Sequence, residues 1–193
     1  MTPEALRAAL DRPGPPSSDF DLNPDVVLPG RRVLRDAAVL VSFQTGADGL
    51  RLILTKRSSA LRHHPGQVAF PGGKLEPGEG PEAAALREAR EEVGLPEAAA
   101  EVLGRLPSHE TVTGFTVTPV LALVGGFEVV PEPGEVEEVF TVPAAHVLDP
   151  ARYAVESRTF RGHARRYYAV PYGPYYVWGA TARILRGLAG RLA

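Results

Sequence analysis

Cysteine is missing from all 193 residues, which excludes disulfides, thiolate metal sites and thiol nucleophiles and leaves oxygen ligands for any metal. Lysine is scarce: Lys56 and Lys74 are the only two, so nearly all positive charge is arginine, a bias that fits the richness in Ala, Gly and Pro. An excess of positive charge is lacking too. A formal charge of -2 excludes the broad basic field that drives non-specific nucleic-acid binding, so an anionic ligand must be caught locally. No segment stays apolar for the roughly 18 residues of a membrane span, and the opening MTPEALRAALDRPGPPSS has no uninterrupted apolar centre of the signal-peptide kind. The chain is read as cytoplasmic, with neither nucleic acid nor membrane as partner.

What is present is an ordinary globular balance, 44% hydrophobic and 23% charged, at a length suited to one domain. Residues 3 to 10 read as a short helix. Residues 11 to 30, rich in Pro, Gly, Ser and Asp, read as an arm without regular structure, a candidate for docking on a second subunit in a homodimer. The division expected is therefore an arm over 1–30 and a folded domain over 31–193. AAVLVSF (37–43) and LRLILTK (50–56) read as a hairpin turning at Gly46–Gly49, with Leu50, Leu52 and Leu54 alternating against Arg51, Ile53 and Thr55. Further strands are expected near 101–106, at FTVTPVLALV (115–124), where Pro119 argues for an edge or a bulge, at 136–142, and at RRYYAVPY (165–172). A short helix is expected after Pro143. YYVWGATARILRGLAGRL places Val177, Ala180, Ile184 and Leu188 at helical spacing. Strands interleaved with two substantial helices give an α/β fold with a mixed sheet in a single layered domain.

The densest chemistry lies in PGGKLEPGEGPEAAALREAREEVGL, 71–95. Pro81 suits a first helical turn, Glu82 its positive end, and Gly94 a left-handed stop. Ala85, Ala89 and Val93 form a small apolar stripe, while Glu88, Glu91 and Glu92 fall within one arc of roughly 100° and are expected to converge. Like charges so placed repel. A solvated face partly neutralised by Arg87 and Arg90 is one resolution. The other is a divalent cation held by carboxylate and carbonyl oxygens, Mg2+ or Mn2+, favoured by the preceding Gly72–Gly73 turn and by Glu79 in the intervening loop. Such a site shares its metal with substrate phosphates, and a spare carboxylate can position or deprotonate an attacking water.

Gly73, Glu79, Arg87, Glu88, then Ala89 through Leu95, resemble the Nudix box, with Ala89 in place of the usual bulky aliphatic. The resemblance implies a Nudix-type α/β/α sandwich and a hydrolase of nucleoside-diphosphate derivatives. It also implies metal held by Glu88 and Glu92, helped by Glu91 and the Gly73 carbonyl, with Arg87 orienting the glutamates and Glu79 an outer ligand or a brace. The preceding ILTKRSSALRHHPGQVAFPGG (53–73), through Leu54, Thr55, Arg57, Ser58, Arg62, Gly66 and Phe70 to Gly73, is similar to the coenzyme A pyrophosphatase branch, as is PEPGEVEEVFTVP (131–143). Arg57 and Arg62 suit phosphate contacts, with exposed ion pairing as the alternative, and His63 and His64 are weaker candidates. For the general base, Glu91 stands first and Glu135 second. The expected reaction is hydrolysis of the coenzyme A diphosphate to 3′,5′-ADP and 4′-phosphopantetheine. ADP-ribose, NADH or a nucleoside triphosphate are alternative substrates, and a nucleotide sensor without catalysis is an alternative function.

Overall fold

A computed structural model describes residues 1–26, 32–160 and 163–192. The end of the expected arm, 27–30, and the first residue of the expected domain, 31, lie outside the described residues. In chain order the elements are α1 (Pro3–Asp11), β1 (Ser17–Ser18), β2 (Arg35–Gly46), β3 (Gly49–Arg57), β4 (Val68–Ala69), β5 (Gly72–Lys74), α2 (Pro81–Val93), β6 (Ala100–Arg105), β7 (His109–Glu110), β8 (Phe115–Val124), β9 (Val136–Pro143), α3 (Ala144–Val147), β10 (Ala154–Phe160), β11 (His163–Ala169) and α4 (Gly179–Leu192).

The centre of the sheet is a parallel pair, β2 against β8, in unbroken register from Arg35 beside Phe115 to Gln44 beside Val124. Alternation along these strands sends side chains to two cores. Ala38 and Leu40 of β2, Ile53 of β3, and Val120 and Ala122 of β8 meet the alanine stripe of α2. Val41, Phe43, Leu52, Leu54 and Leu121 meet the opposite layer, where Leu6 and Ala9 of α1 pack with Leu185 and Leu188 of α4. The result is the expected helix, sheet, helix sandwich. Because α1 enters the main core, the N-terminal helix is part of that packing.

The expected hairpin forms, but only Phe43–Gly46 pairs with Gly49–Leu52. Beyond it the strands part: Ala37–Val39 of β2 pairs with β5, while β3 pairs with β4 and, along its other edge, with β9. This parting lets β5 take the edge of β2 beside the end of β3, so Gly72 and Gly73, expected as a turn, lie in a strand, and the C-terminal half of α2 brings Glu92 toward Arg57.

Three expectations change. Pro119 sits neither on an edge strand nor at a bulge; it pairs with Val39 in the middle of the sheet. Its missing N–H is tolerated because the other flank of β8 changes partner there, from β7 at Thr116–Val117 to β6 at Val120–Val124. The arm is not wholly irregular, since Ser17 and Ser18 pair in parallel with His109 and Glu110. The C-terminal helix starts at Gly179 rather than at Tyr175. Val177 is buried from an extended segment whose carbonyl accepts from Val170 N at 2.8 Å, and Trp178 bridges Ala169.

Candidate active site

The position of α2 follows from its small residues. Ala84, Ala85, Ala89 and Val93 are fully buried, so the helix axis lies close to the sheet. Gly94 ends the helix at φ +74°, its N–H bonded to the carbonyls of Ala89 and Arg90, a left-handed cap that suits glycine. Steps of 100° set Glu88 in the middle of the acidic arc, with Glu92 on the side of the buried stripe and Glu91 on the side of solvent. Glu92 is accordingly 4% exposed, Glu88 17% and Glu91 52%. The convergence expected of all three is thus limited to Glu88 and Glu92. Among the described residues no three His, Asp or Glu side chains are arranged to enclose an ion.

Arg87 organises the helix surface. Its Nε and Nη2 donate to the two oxygens of Glu79 at 2.9 and 3.1 Å, Nη1 to Glu88 Oε1 at 2.9 Å and to Glu91 Oε2 at 3.3 Å, and Nη2 also reaches the Lys74 carbonyl at 3.1 Å. The forked guanidinium fixes the loop that precedes α2 and the helix surface in one geometry. Glu79, whose second oxygen also accepts the Glu76 N–H at 2.8 Å, is held below the usual carboxylate range, first by Arg87. It occupies the place of a brace.

Glu92 has far less support. It accepts one hydrogen bond, from Gly72 N–H at 3.2 Å, and Arg57 Nη1 lies 3.8 Å away. Burial pushes its carboxyl up to about 7, against those two contacts and with added repulsion from Glu88 and Glu135. Glu88 is pushed up as well, by burial first, with Arg87 opposing and Glu91 and Glu135 adding repulsion. Glycine is required beside them: a Cβ on Gly73 would fall 2.3 Å from Glu88 Oε1, and one on Gly72 2.5 Å from the Ala38 carbonyl oxygen.

Of the other sequence candidates, Arg57 and Glu135 come near the buried pair. Glu91 is engaged by Arg87 and lies 4.0 Å from Arg90. Arg62, His63 and His64 lie exposed on the loop between β3 and β4, and His64 has φ +55°. Glu137 was missed by sequence reading. It receives Lys56 and Ser59 and so ties that loop to β9. The signal lay in EVEEVF, where apolar residues three apart, Val136 and Val139, break the two-residue period of a strand.

The donors suit a hard divalent cation. Two desolvated carboxylates one turn apart have one arginine each, Arg87 on Glu88 at 2.9 Å and Arg57 3.8 Å from Glu92, and the missing Cβ of Gly73 leaves room against Glu88, so a cation with water ligands would relieve a charge that these contacts offset only in part.

Comparison with known proteins agrees with this geometry. The NUDIX domain family profile matches residues 33–161. A protein named "Uncharacterized Nudix hydrolase NudL" from Klebsiella pneumoniae (strain 342) is 44% identical over 169 residues, covering 83% of this chain and 85% of that protein. Its namesake from Enterobacter sp. (strain 638) is 43% identical over 157 residues, covering 80% and 81%. Among solved structures, the Nudix hydrolase RenU of M. smegmatis superposes with a TM-score of 0.51 at 28% identity, over 58% of this chain and 73% of that one. A MutT/nudix family protein from Enterococcus faecalis, at 16% identity, shares the fold with a TM-score of 0.51 over 90% and 67%.

Proposed function

The chain belongs to the NUDIX family, and from that premise we propose that it hydrolyses the diphosphate of coenzyme A to 3′,5′-ADP and 4′-phosphopantetheine. Nudix hydrolases act with divalent metal ions on small nucleotide derivatives. The observation that carries the proposal is the pair Glu88 and Glu92, desolvated with one arginine each, beside the glycines of β5 and near Arg57, which leads into the loop of Arg62.

Glu88, Glu92 and the Gly73 carbonyl would hold Mg2+ or Mn2+, which when bound neutralises phosphate charge and lowers the cost of attack at phosphorus. Arg87 keeps Glu88 oriented, and Glu79 keeps Arg87 oriented. Arg57 and Arg62 bind phosphate oxygens, and His63 and His64 line the same loop. Glu135 acts close enough to Glu88 and Glu92 to oppose the ionisation of both, so a water in front of the pair has it as a proton acceptor. Glu91, more exposed and drawn to Arg87, is the second acceptor. The water oxygen forms the new bond to phosphorus as the bridging P–O bond breaks. Its proton goes to the carboxylate, and the bond electrons leave on the departing phosphate.

The support for coenzyme A over other diphosphates is the run from Ile53 to Gly73, because the buried pair itself does not read the leaving group. Magnesium assays against coenzyme A, ADP-ribose, NADH and nucleoside triphosphates, with products identified by mass spectrometry in 18O water, test it. Coenzyme A is expected to give the highest kcat/KM, with one 18O in a single product phosphate. Higher efficiency on another substrate overturns the coenzyme A assignment, and binding without any product favours a sensor.

A further inference from the structure

β9 is irregular at one point. Lys56 pairs with Glu138 but Arg57 with Val136, so Glu137 is an extra, bulged residue. A bulge re-aims side chains. Here Glu137 Oε1 accepts from Lys56 Nζ at 2.5 Å, while Oε2 accepts from Ser59 Oγ at 2.5 Å and from Ser59 N–H at 3.2 Å. Those hydrogen bonds, from Lys56 and then Ser59, hold its carboxyl down to about 2. A second tether lies beside it, Ser58 N–H donating to the Glu135 carbonyl at 2.8 Å.

The loop so anchored closes at its base, with Arg57 N–H on the Gln67 carbonyl at 2.9 Å and Gly66 N–H on the Arg57 carbonyl at 3.1 Å. Its tip contains His64 at φ +55°, a conformation that a residue other than glycine keeps only where the surroundings hold it. Arg62 on this loop is exposed and has no hydrogen-bond or ion-pair partner among the described residues. A root fixed this firmly carries an unengaged arginine five residues beyond Arg57, whose guanidinium lies 3.8 Å from Glu92, and that is more than surface packing requires.

We propose that Glu137 is a positioning residue: through Ser59 it fixes the loop that presents Arg62 to the anionic end of the substrate. The inference rests on the diphosphate-hydrolase reading and adds to it a residue that touches no substrate. With the clamp cut, the loop keeps its charges but must be ordered by the substrate itself. That cost falls on binding, so KM rises while kcat is little changed.

The test is a double-mutant cycle of Glu137→Ala with Arg62→Ala, measured in magnesium on the diphosphate that the wild type cleaves best. Arg62→Ala is expected to raise KM by about tenfold, the size of one charge-assisted phosphate contact. Glu137→Ala is expected to raise it comparably with kcat preserved, and the double variant to be no worse than the poorer single one. Ser59→Ala, which leaves Glu137 and its pair with Lys56 in place, should also raise KM, and Glu137→Gln, which keeps an acceptor for Ser59, should raise it less. Additive effects in the cycle, an unchanged KM in Glu137→Ala, or a loss confined to kcat would each overturn the inference alone. A wild type that cleaves no diphosphate overturns the underlying reading, and the inference with it.

Discussion

Two parts of the molecule bury a titratable side chain and treat it in opposite ways. His109, fully enclosed, has both ring nitrogens engaged, Nδ1 with Ser17 Oγ at 2.9 Å and Nε2 with Asp19 Oδ1 at 3.1 Å. The second oxygen of Asp19 accepts the Val112 N–H at 2.8 Å. Glu92, nearly as deep, has one backbone donor and a distant guanidinium. The first cluster stitches the N-terminal segment to the sheet, each polar atom answered within the protein. The second leaves charge unanswered, which costs stability and creates demand for a ligand. A satisfied buried group points to structure, and an unsatisfied one to function.

The largest expected effect tests the second half of that contrast. Glu88→Gln and Glu92→Gln should each lower turnover by about a thousandfold, the equivalent of roughly 4 kcal/mol in the barrier, while circular dichroism stays native. Wild-type rates in both variants would remove the metal site from Glu88 and Glu92. Next comes pH. Glu92 moves from 4.5 in the unfolded chain to about 7 in the folded one. Below 4.5 both states are protonated and nothing is lost. Between 4.5 and 7 the unfolded chain ionises first, so the metal-free protein loses up to about 3 kcal/mol as pH rises through that window. Glu92→Gln removes this loss. Without metal it should melt above the wild type at pH 8 and level with it at pH 4.5, and Mg2+ should raise the wild-type Tm at pH 8 far more than that of the variant. Identical melting curves across pH would show that Glu92 is neutralised within the protein after all.

The satisfied cluster should answer in the other way. His109→Ala strands Ser17 and Asp19 and should cost roughly 1–3 kcal/mol in urea unfolding with kcat retained. A loss of kcat at unchanged stability would make the contrast false. The floor is set by Glu82 and Arg105, an exposed pair for which Arg105→Ala should leave the urea midpoint nearly unchanged and the activity intact.

Sequence periodicity was enough to place α2, α4, the first hairpin and β8, because each repeats its pattern over several turns or pairs. The two- and three-residue strands β1, β4, β5 and β7 have no period to show, and Pro119 misled because the gap between β6 and β7 depends on which strands flank β8. In the site, glutamate spacing located Glu88 and Glu92. Spacing alone did not separate Glu91 from them; the apolar stripe of Ala85, Ala89 and Val93, which marks the flank that the sheet covers, carries that signal. Arg87 was expected to orient the glutamates, and it also grips Glu79 and the Lys74 carbonyl. Asp19 went unnoticed because its partner, His109, lies ninety residues away.

The parallel register of β2 and β8 also has a consequence in time. Every pair in it is eighty residues apart, and all of α2, the glycines of β5 and the arginine loop lie on the chain it closes. Helical segments form in microseconds from local contacts, whereas such a closure must first meet the entropy of a long loop. The carboxylates of α2 are therefore neighbours early in refolding, but the burial that sets Glu92 apart waits for the sheet. In stopped-flow refolding, catalytic competence should return with the slowest phase and helical ellipticity before it; simultaneous recovery of the two would show that the helix has no life of its own before the sheet closes.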